Sequence, residues 1–299
     1  LEFRRVLFRS ADGKPDLQGV WDYRSITPLE TPSDAAGKTV YTDEEAAEVE
    51  QRAKARNQDR RDGAGTDADV GRAYNDFWWD FGKKYIGSNR SSLIVEPRDG
   101  KLPAYTASGK ARVDREAALR ARAAEGPEDR SVGERCILGF NAGPPMLPSA
   151  YNNNVHVVQA KDFVVILNEM VHDARVVPLD GRPHLTVPQW SGSARGHWEG
   201  DTLVVETTNF HERSAYRNGT PESLRIVERF TRTGPNTVEW AVTVDDPKTW
   251  TRPWTLALPL TRNESEPVIE YACHEGNYAM HNMLSASRAD ERSAPAAKR

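Results

Sequence analysis

Cysteine, long apolar runs and surplus positive charge are all scarce in this chain. Two cysteines, Cys136 and Cys273, occur in 299 residues. Their separation excludes a CxxC redox motif and a zinc knuckle, which need closely spaced thiols. No apolar stretch approaches the roughly 18 residues of a membrane-crossing helix, so no membrane span is expected. Lys and Arg number 40 against 44 Asp and Glu, a net charge of −4, which lacks the basic footprint of a nucleic-acid partner. The HExxH and HxH spacings of zinc sites and the GxSxG elbow of serine hydrolases do not occur. An internal repeat is missing as well.

What is present is a long β pattern. Residues 153–275 are a series of short strand signals separated by turn residues, and all seven histidines lie between His156 and His281. Strands are expected over 155–159, 163–169, 174–178, 196–198, 202–208, 224–232, 237–245, 255–260 and 268–274, with earlier ones near 17–24 and 91–97. Val238, Trp240, Val242 and Val244 alternate with Glu239, Ala241 and Thr243, the clearest period-two signal in the chain. The fold class read from this is mainly β: an antiparallel barrel-like or strongly curled sheet of 9–11 strands with two or three peripheral helices, a two-sheet sandwich being the alternative.

Helices are expected near 43–60, 113–125 and 277–289. The first opens on a capping box, Thr42 with Glu45, which satisfies two orphan amides. One β-rich domain should span 11–290, followed by a polar tail, 291–299. Residues 1–10, Leu-Glu-Phe-Arg-Arg-Val-Leu-Phe-Arg-Ser, match the in-frame translation of a common short-read sequencing adaptor. They are expected to be an artefact, with any signal peptide lost upstream of Ala11.

Cys136 and Cys273 both sit beside apolar residues at plausible strand positions. A disulfide between them would close a long loop worth about 4–5 kcal/mol and favour an exported protein. Two buried free thiols are the alternative.

The segments Gly196-His197-Trp198-Glu199-Gly200-Asp201-Thr202-Leu203-Val204-Val205-Glu206-Thr207-Thr208-Asn209-Phe210 and Cys273-His274-Glu275-Gly276-Asn277-Tyr278 carry a resemblance. It extends to Leu17-Gln18-Gly19-Val20-Trp21, Glu134-Arg135-Cys136, Leu179 to His184 and Asp246-Pro247-Lys248-Thr249-Trp250. Over about 16–288 the chain resembles a large, functionally uncharacterised family of exported soil-bacterial proteins. The resemblance implies a periplasmic or secreted location and brings no catalytic residues with it. Gly19-Val20-Trp21 also resembles the opening of lipocalin-type barrels.

Ionisable residues near strand ends make the candidate site. Glu169 and His172, or His274 and Glu275, are expected as acid–base partners, and Arg175 as an anion anchor. Trp78, Trp79, His184, His197, Asn277 and Tyr278 are expected to line a substrate pocket, with Tyr151 to Asn154 adding amides at the same mouth. Each has a plainer reading: a solvated strand end, turn chemistry, or aromatic packing. No cofactor is expected. Zinc, on His172, His184, His197 or His274 with Glu169 or Glu275, is the one candidate metal, and its ligands would have to come from separate strands. The expected function is a hydrolase or lyase acting on a small polar or carbohydrate-like substrate. The alternative is a non-catalytic, lipocalin-like module for a small ligand.

Overall fold

A computed structural model describes residues 8–35, 37–56, 82 and 84–293. Ten strands form one antiparallel sheet. They are β1 (Gly19–Asp22), β2 (Ile94–Glu96), β3 (Asn154–Gln159), β4 (Phe163–Asn168), β5 (Ala174–Pro178), β6 (Ser193–Glu199), β7 (Thr202–Thr208), β8 (Arg225–Gly234), β9 (Thr237–Asp245) and β10 (Trp254–Arg262). The order across the sheet is β5-β4-β3-β1-β10-β9-β8-β7-β6, with β2 added beside β10. The expected barrel-like architecture is what forms.

Two meanders build it. In β3-β4-β5 and in β6 to β10 each strand pairs with the next in sequence, through short turns except for the longer 209–224 and 246–253 connections, and β1 lies between the two sets, pairing with β3 through Trp21↔Val155 and with β10 through Trp21↔Arg262. The terminal strands β5 and β6 close the barrel with side chains rather than a ladder. Gly196 makes this closure fit: a Cβ there would stand 2.9 Å from Val177 and 2.8 Å from Leu179. Tight turns follow local chemistry. Gly200, at φ +59°, supplies the left-handed conformation of the β6–β7 hairpin, where Glu199 pairs with Thr202.

Alternation fills the interior. Val238, Trp240, Val242 and Val244 of β9 are buried, as are Leu203 and Val205 of β7, Ile226 and Phe230 of β8, and Leu256, Leu258 and Leu260 of β10. Trp21, Trp240, Trp250 and Trp254 are all at most 1% exposed. At roughly 1.5–3 kcal/mol per fully buried apolar side chain, these inward rows are the main stabilising term. The barrel is a packed core rather than an open calyx.

Among the described residues, three α-helices lie outside: α1 (Asp43–Arg56), α2 (Ala107–Ala121) and α3 (Ala279–Ser293). The α1 capping box forms, with Glu45 N donating to Thr42 Oγ1 (3.2 Å) and Thr42 N to Glu45 Oε2 (3.0 Å). α2 begins six residues earlier than 113. Thr106 caps it by accepting from Gly109 N, and Gly109, which reads as a breaker in sequence, is there because a Cβ would collide with Thr249 O at 2.4 Å. α3 is fastened by Arg288, which donates to the carbonyls of Ala124 and Glu125.

One expected strand does not form. Residues 268–274 have no ladder partner, because β1 and β9 already occupy the edges of β10. Of the first ten residues, Phe8 to Ser10 are described, and Arg9 makes a surface ion pair with Asp201, a contact of little energy.

Candidate functional site

After β10 the chain crosses one end of the barrel and is strapped down at several points. Asn263 N donates to Val20 O, and Asn263 Nδ2 to Asn154 Oδ1 at 3.0 Å. Glu169, directly after β4, is 5% exposed. Its Oε2 accepts from Asn154 Nδ2 at 3.0 Å and its Oε1 from Ile269 N at 3.2 Å. Glu169 thus ties β3, β4 and the 263–271 segment together with both oxygens engaged. Beneath it lies Tyr23. Burial first, and then the Glu169 and Asp22 carboxylates, push the Tyr23 phenol far above its usual range.

The far end of the strap is covalent. Cys136 and Cys273 form the disulfide, with Cα atoms 5.7 Å apart. Asn277 Nδ2 donates to Cys273 O at 2.8 Å, and Asn277 Oδ1 accepts from Ala279 N at the start of α3. The bridge also gathers aromatic rings. Tyr271, two residues before Cys273, stacks on Tyr151 (centroids 6.0 Å apart, planes at 23°). Phe140, four residues after Cys136, meets Tyr151 edge-on at 5.7 Å. Phe140 is 57% exposed, Ile269 63% and Tyr278 73%. His274 and Glu275 are exposed on the same short loop. The product is an aromatic ledge flanked by an imidazole, a carboxylate and an amide, held by a disulfide at one side and Glu169 at the other.

The remaining expected residues are spread over other surfaces. Trp78 and Trp79 lie outside the described residues. His172 is exposed, in a turn whose Val171 and His172 have φ of 58° and 44°. Arg175, expected at a mouth, points into the barrel instead. Its side chain is 2% exposed and its guanidinium is bidentate to the fully buried Glu228, at 3.0 Å for Nη2–Oε1. Trp240 Nε1 also donates to Glu228, at 3.3 Å. Beside this pair, Asp173 accepts twice from Ser191 Oγ, and burial raises its carboxyl above the usual value against the opposing pull of Arg175, Ser191 and His172.

His184 and His197 sit on the β6–β8 wall. His184 Nδ1 donates to Ser193 O at 2.7 Å, and its Nε2 lies 3.4 Å from Glu206, whose other oxygen takes Arg225. His197 lies 3.1 Å from Glu199, which also takes Arg229. Arg229 and then His197 lower the Glu199 carboxyl. The structure therefore brings Glu169, the 151–154 run and the 273–278 loop to one end of the barrel, and leaves Arg175, His184 and His197 elsewhere.

Among the described residues, no group of three or more His, Cys, Asp or Glu is arranged to hold a metal ion. Among the same residues, no helix is long and apolar enough to cross a membrane. No family model, curated protein or solved structure matches the chain.

Phe140 and Tyr271 escape notice in the sequence because neither belongs to a polar cluster. Their proximity to the two bridged cysteines was the available signal. Glu228 likewise carried one: a carboxylate at an inward position between Ile226 and Phe230.

Proposed function

We propose that the chain is an exported binding protein for a carbohydrate-like ligand, held on the aromatic ledge with the barrel as scaffold. The observation that carries this reading is the cluster of the exposed Phe140 and the half-buried Tyr151 and Tyr271 rings, fastened by the disulfide beside Glu275, Asn277 and the exposed Tyr278. Sugar rings offer apolar faces to aromatic planes and hydroxyls to carboxylates and amides. An exposed aromatic patch rimmed by polar groups is the usual form of such a site. The disulfide supports an oxidising compartment.

Binding is favoured over hydrolase or lyase chemistry by the state of the carboxylates. Both oxygens of Glu169 are committed to Asn154 and Ile269. Among the described residues, neither His172 nor His274 has a side-chain hydrogen bond to a carboxylate, so no carboxylate orients either imidazole. The filled interior favours an external ligand over a lipocalin-type calyx.

Calorimetric titration with a panel of soluble oligosaccharides tests the reading. Tyr278→Ala removes a 73% exposed ring without touching the core. It should weaken binding by roughly 2- to 10-fold, the worth of one aromatic contact. A panel with no binder, or a Y278A variant that binds as tightly as the parent, would refute the assignment.

A further inference from the structure

A second concavity, of about 450 Å³, opens between α2, the 128–132 turn and the 212–222 loop. None of its lining residues belongs to the ledge. Five arginines, Arg112, Arg115, Arg120, Arg130 and Arg213, line it. Arg112 is half-buried, and its Nε donates to Asn218 O at 2.7 Å and its Nη2 to Thr249 Oγ1. Both acceptors are neutral. The carboxylate behind them, Asp246, already accepts from Thr220 N, Ser223 Oγ, Lys248 N and Thr249 Oγ1. Among the described residues, no carboxylate lies within 4.0 Å of the Arg112 guanidinium, and its Nη1 has no partner.

Arg130, half-buried on the opposite wall, differs in having one long ion pair. Its Nε is buried without an acceptor, and its Nη1 stands 3.7 Å from Glu134. Arg213 adds a third guanidinium, tied to Glu128 O. Five acids line the groove as well: Glu128, Glu212 and Glu222 are exposed, while Glu116 and Asp129 are half-buried, and Asp129 is paired with Arg122. Arg112 is fixed by two neutral acceptors and keeps one donor nitrogen free, so its charge is available to an anion. A forked donor pair is matched by an oxygen pair on a carboxylate, sulfate or phosphate.

We propose that this groove binds a small oxyanion on Arg112 and Arg130, either a free ion or the charged group of an acidic sugar. The ligand's oxygens would take Arg112 Nη1 and the exposed end of the Arg130 guanidinium, and the exposed acids would face any hydroxyls the rest of the molecule carries.

NMR titration of the intact chain at constant ionic strength tests this with four probes: inorganic sulfate, inorganic phosphate, glucuronate, and glucose as the neutral control. Saturable shifts of Thr220 and Gly219 amides are expected with at least one anion and not with glucose. Saturation by sulfate or phosphate identifies a free-ion site, and saturation by glucuronate alone an acidic-sugar site. Arg130→Gln should weaken binding roughly tenfold and Arg112→Lys several-fold, since lysine keeps the charge and loses the fork. Arg115→Gln, on the exposed face of α2, leaves the fold untouched and should weaken binding about threefold. Y278A should leave anion binding unchanged. No saturable shift below about 20 mM, well beyond the roughly 1 mM of a weak specific site, overturns the proposal. So does binding that is indifferent to all three arginine substitutions.

Discussion

The Arg175–Glu228 pair inside the barrel is the sharpest energetic test of the structure. Arg175→Met leaves the Glu228 carboxylate, 0% exposed, with only Trp240 Nε1 at 3.3 Å. Removing one partner of a buried ion pair costs about 3–5 kcal/mol. Glu228→Leu leaves Arg175 buried, with Asp173 as the remaining counter-charge, so its cost should fall near the lower limit of about 3 kcal/mol. The double substitution replaces both charges with apolar side chains of similar bulk, and such swaps run from neutral to about 1–4 kcal/mol stabilising. The two singles together should therefore lose about 6 kcal/mol or more while the double loses almost none, a coupling far above that of any surface pair. Urea unfolding followed by tryptophan fluorescence measures it, because Trp240 reports directly on Glu228. The midpoint should fall in each single variant at constant slope and recover in the double. A double variant as unstable as the two singles combined would refute the reasoning, since the two groups would then be held independently.

Other predictions follow from the same contacts. Reducing the Cys136–Cys273 bridge, whose sequence separation is 137, should cost about 4–5 kcal/mol by loop closure, and melts with and without reductant should separate accordingly. Asp173, raised chiefly by burial, contributes stability that is complete below its unfolded pKa and is lost as pH rises through the folded value. Asp173→Asn should therefore flatten the stability curve in the window above about pH 4, and an unchanged slope would discount the burial. At Asp246, burial alone would raise the carboxyl, but its donors Ser223, Thr220, Thr249 and Lys248 outweigh it and hold it below the usual value. Its stability is present above the unfolded pKa and is lost as pH falls through the folded one. Asp246→Ala should cost roughly 3 kcal/mol by orphaning these donors and hasten proteolysis within 212–222.

Much of the barrel was legible because period two is a local signal. β9 could be read residue by residue, and the turn pairs fixed the hairpins of β3–β4, β6–β7 and β8–β9. The missing strand at 268–274 shows the limit. Its residues suit a strand, but β10 has no vacant edge, and vacancy is a property of the whole sheet. The late start assigned to α2 has a similar cause: Gly109 answers to Thr249, 140 residues away. In the candidate site, the disulfide and the 273–278 loop were readable from local chemistry. Glu169 was expected as an acid–base partner of His172, whereas its oxygens accept from Asn154 and Ile269, an arrangement that only the three-dimensional structure reveals. Arg175 could not be placed because its partner Glu228 lies on a distant strand.

The position of β1 has a consequence for how the molecule is made. Residues 19–22 lie between β3 and β10, and Trp21 faces Arg262. A nascent chain therefore carries its keystone before any other strand of the sheet but cannot set it until the last of the ten strands has emerged. Contacts so distant in sequence make assembly slow. Shortening the gene from either end should give not a smaller barrel but an open trough with two bare edges.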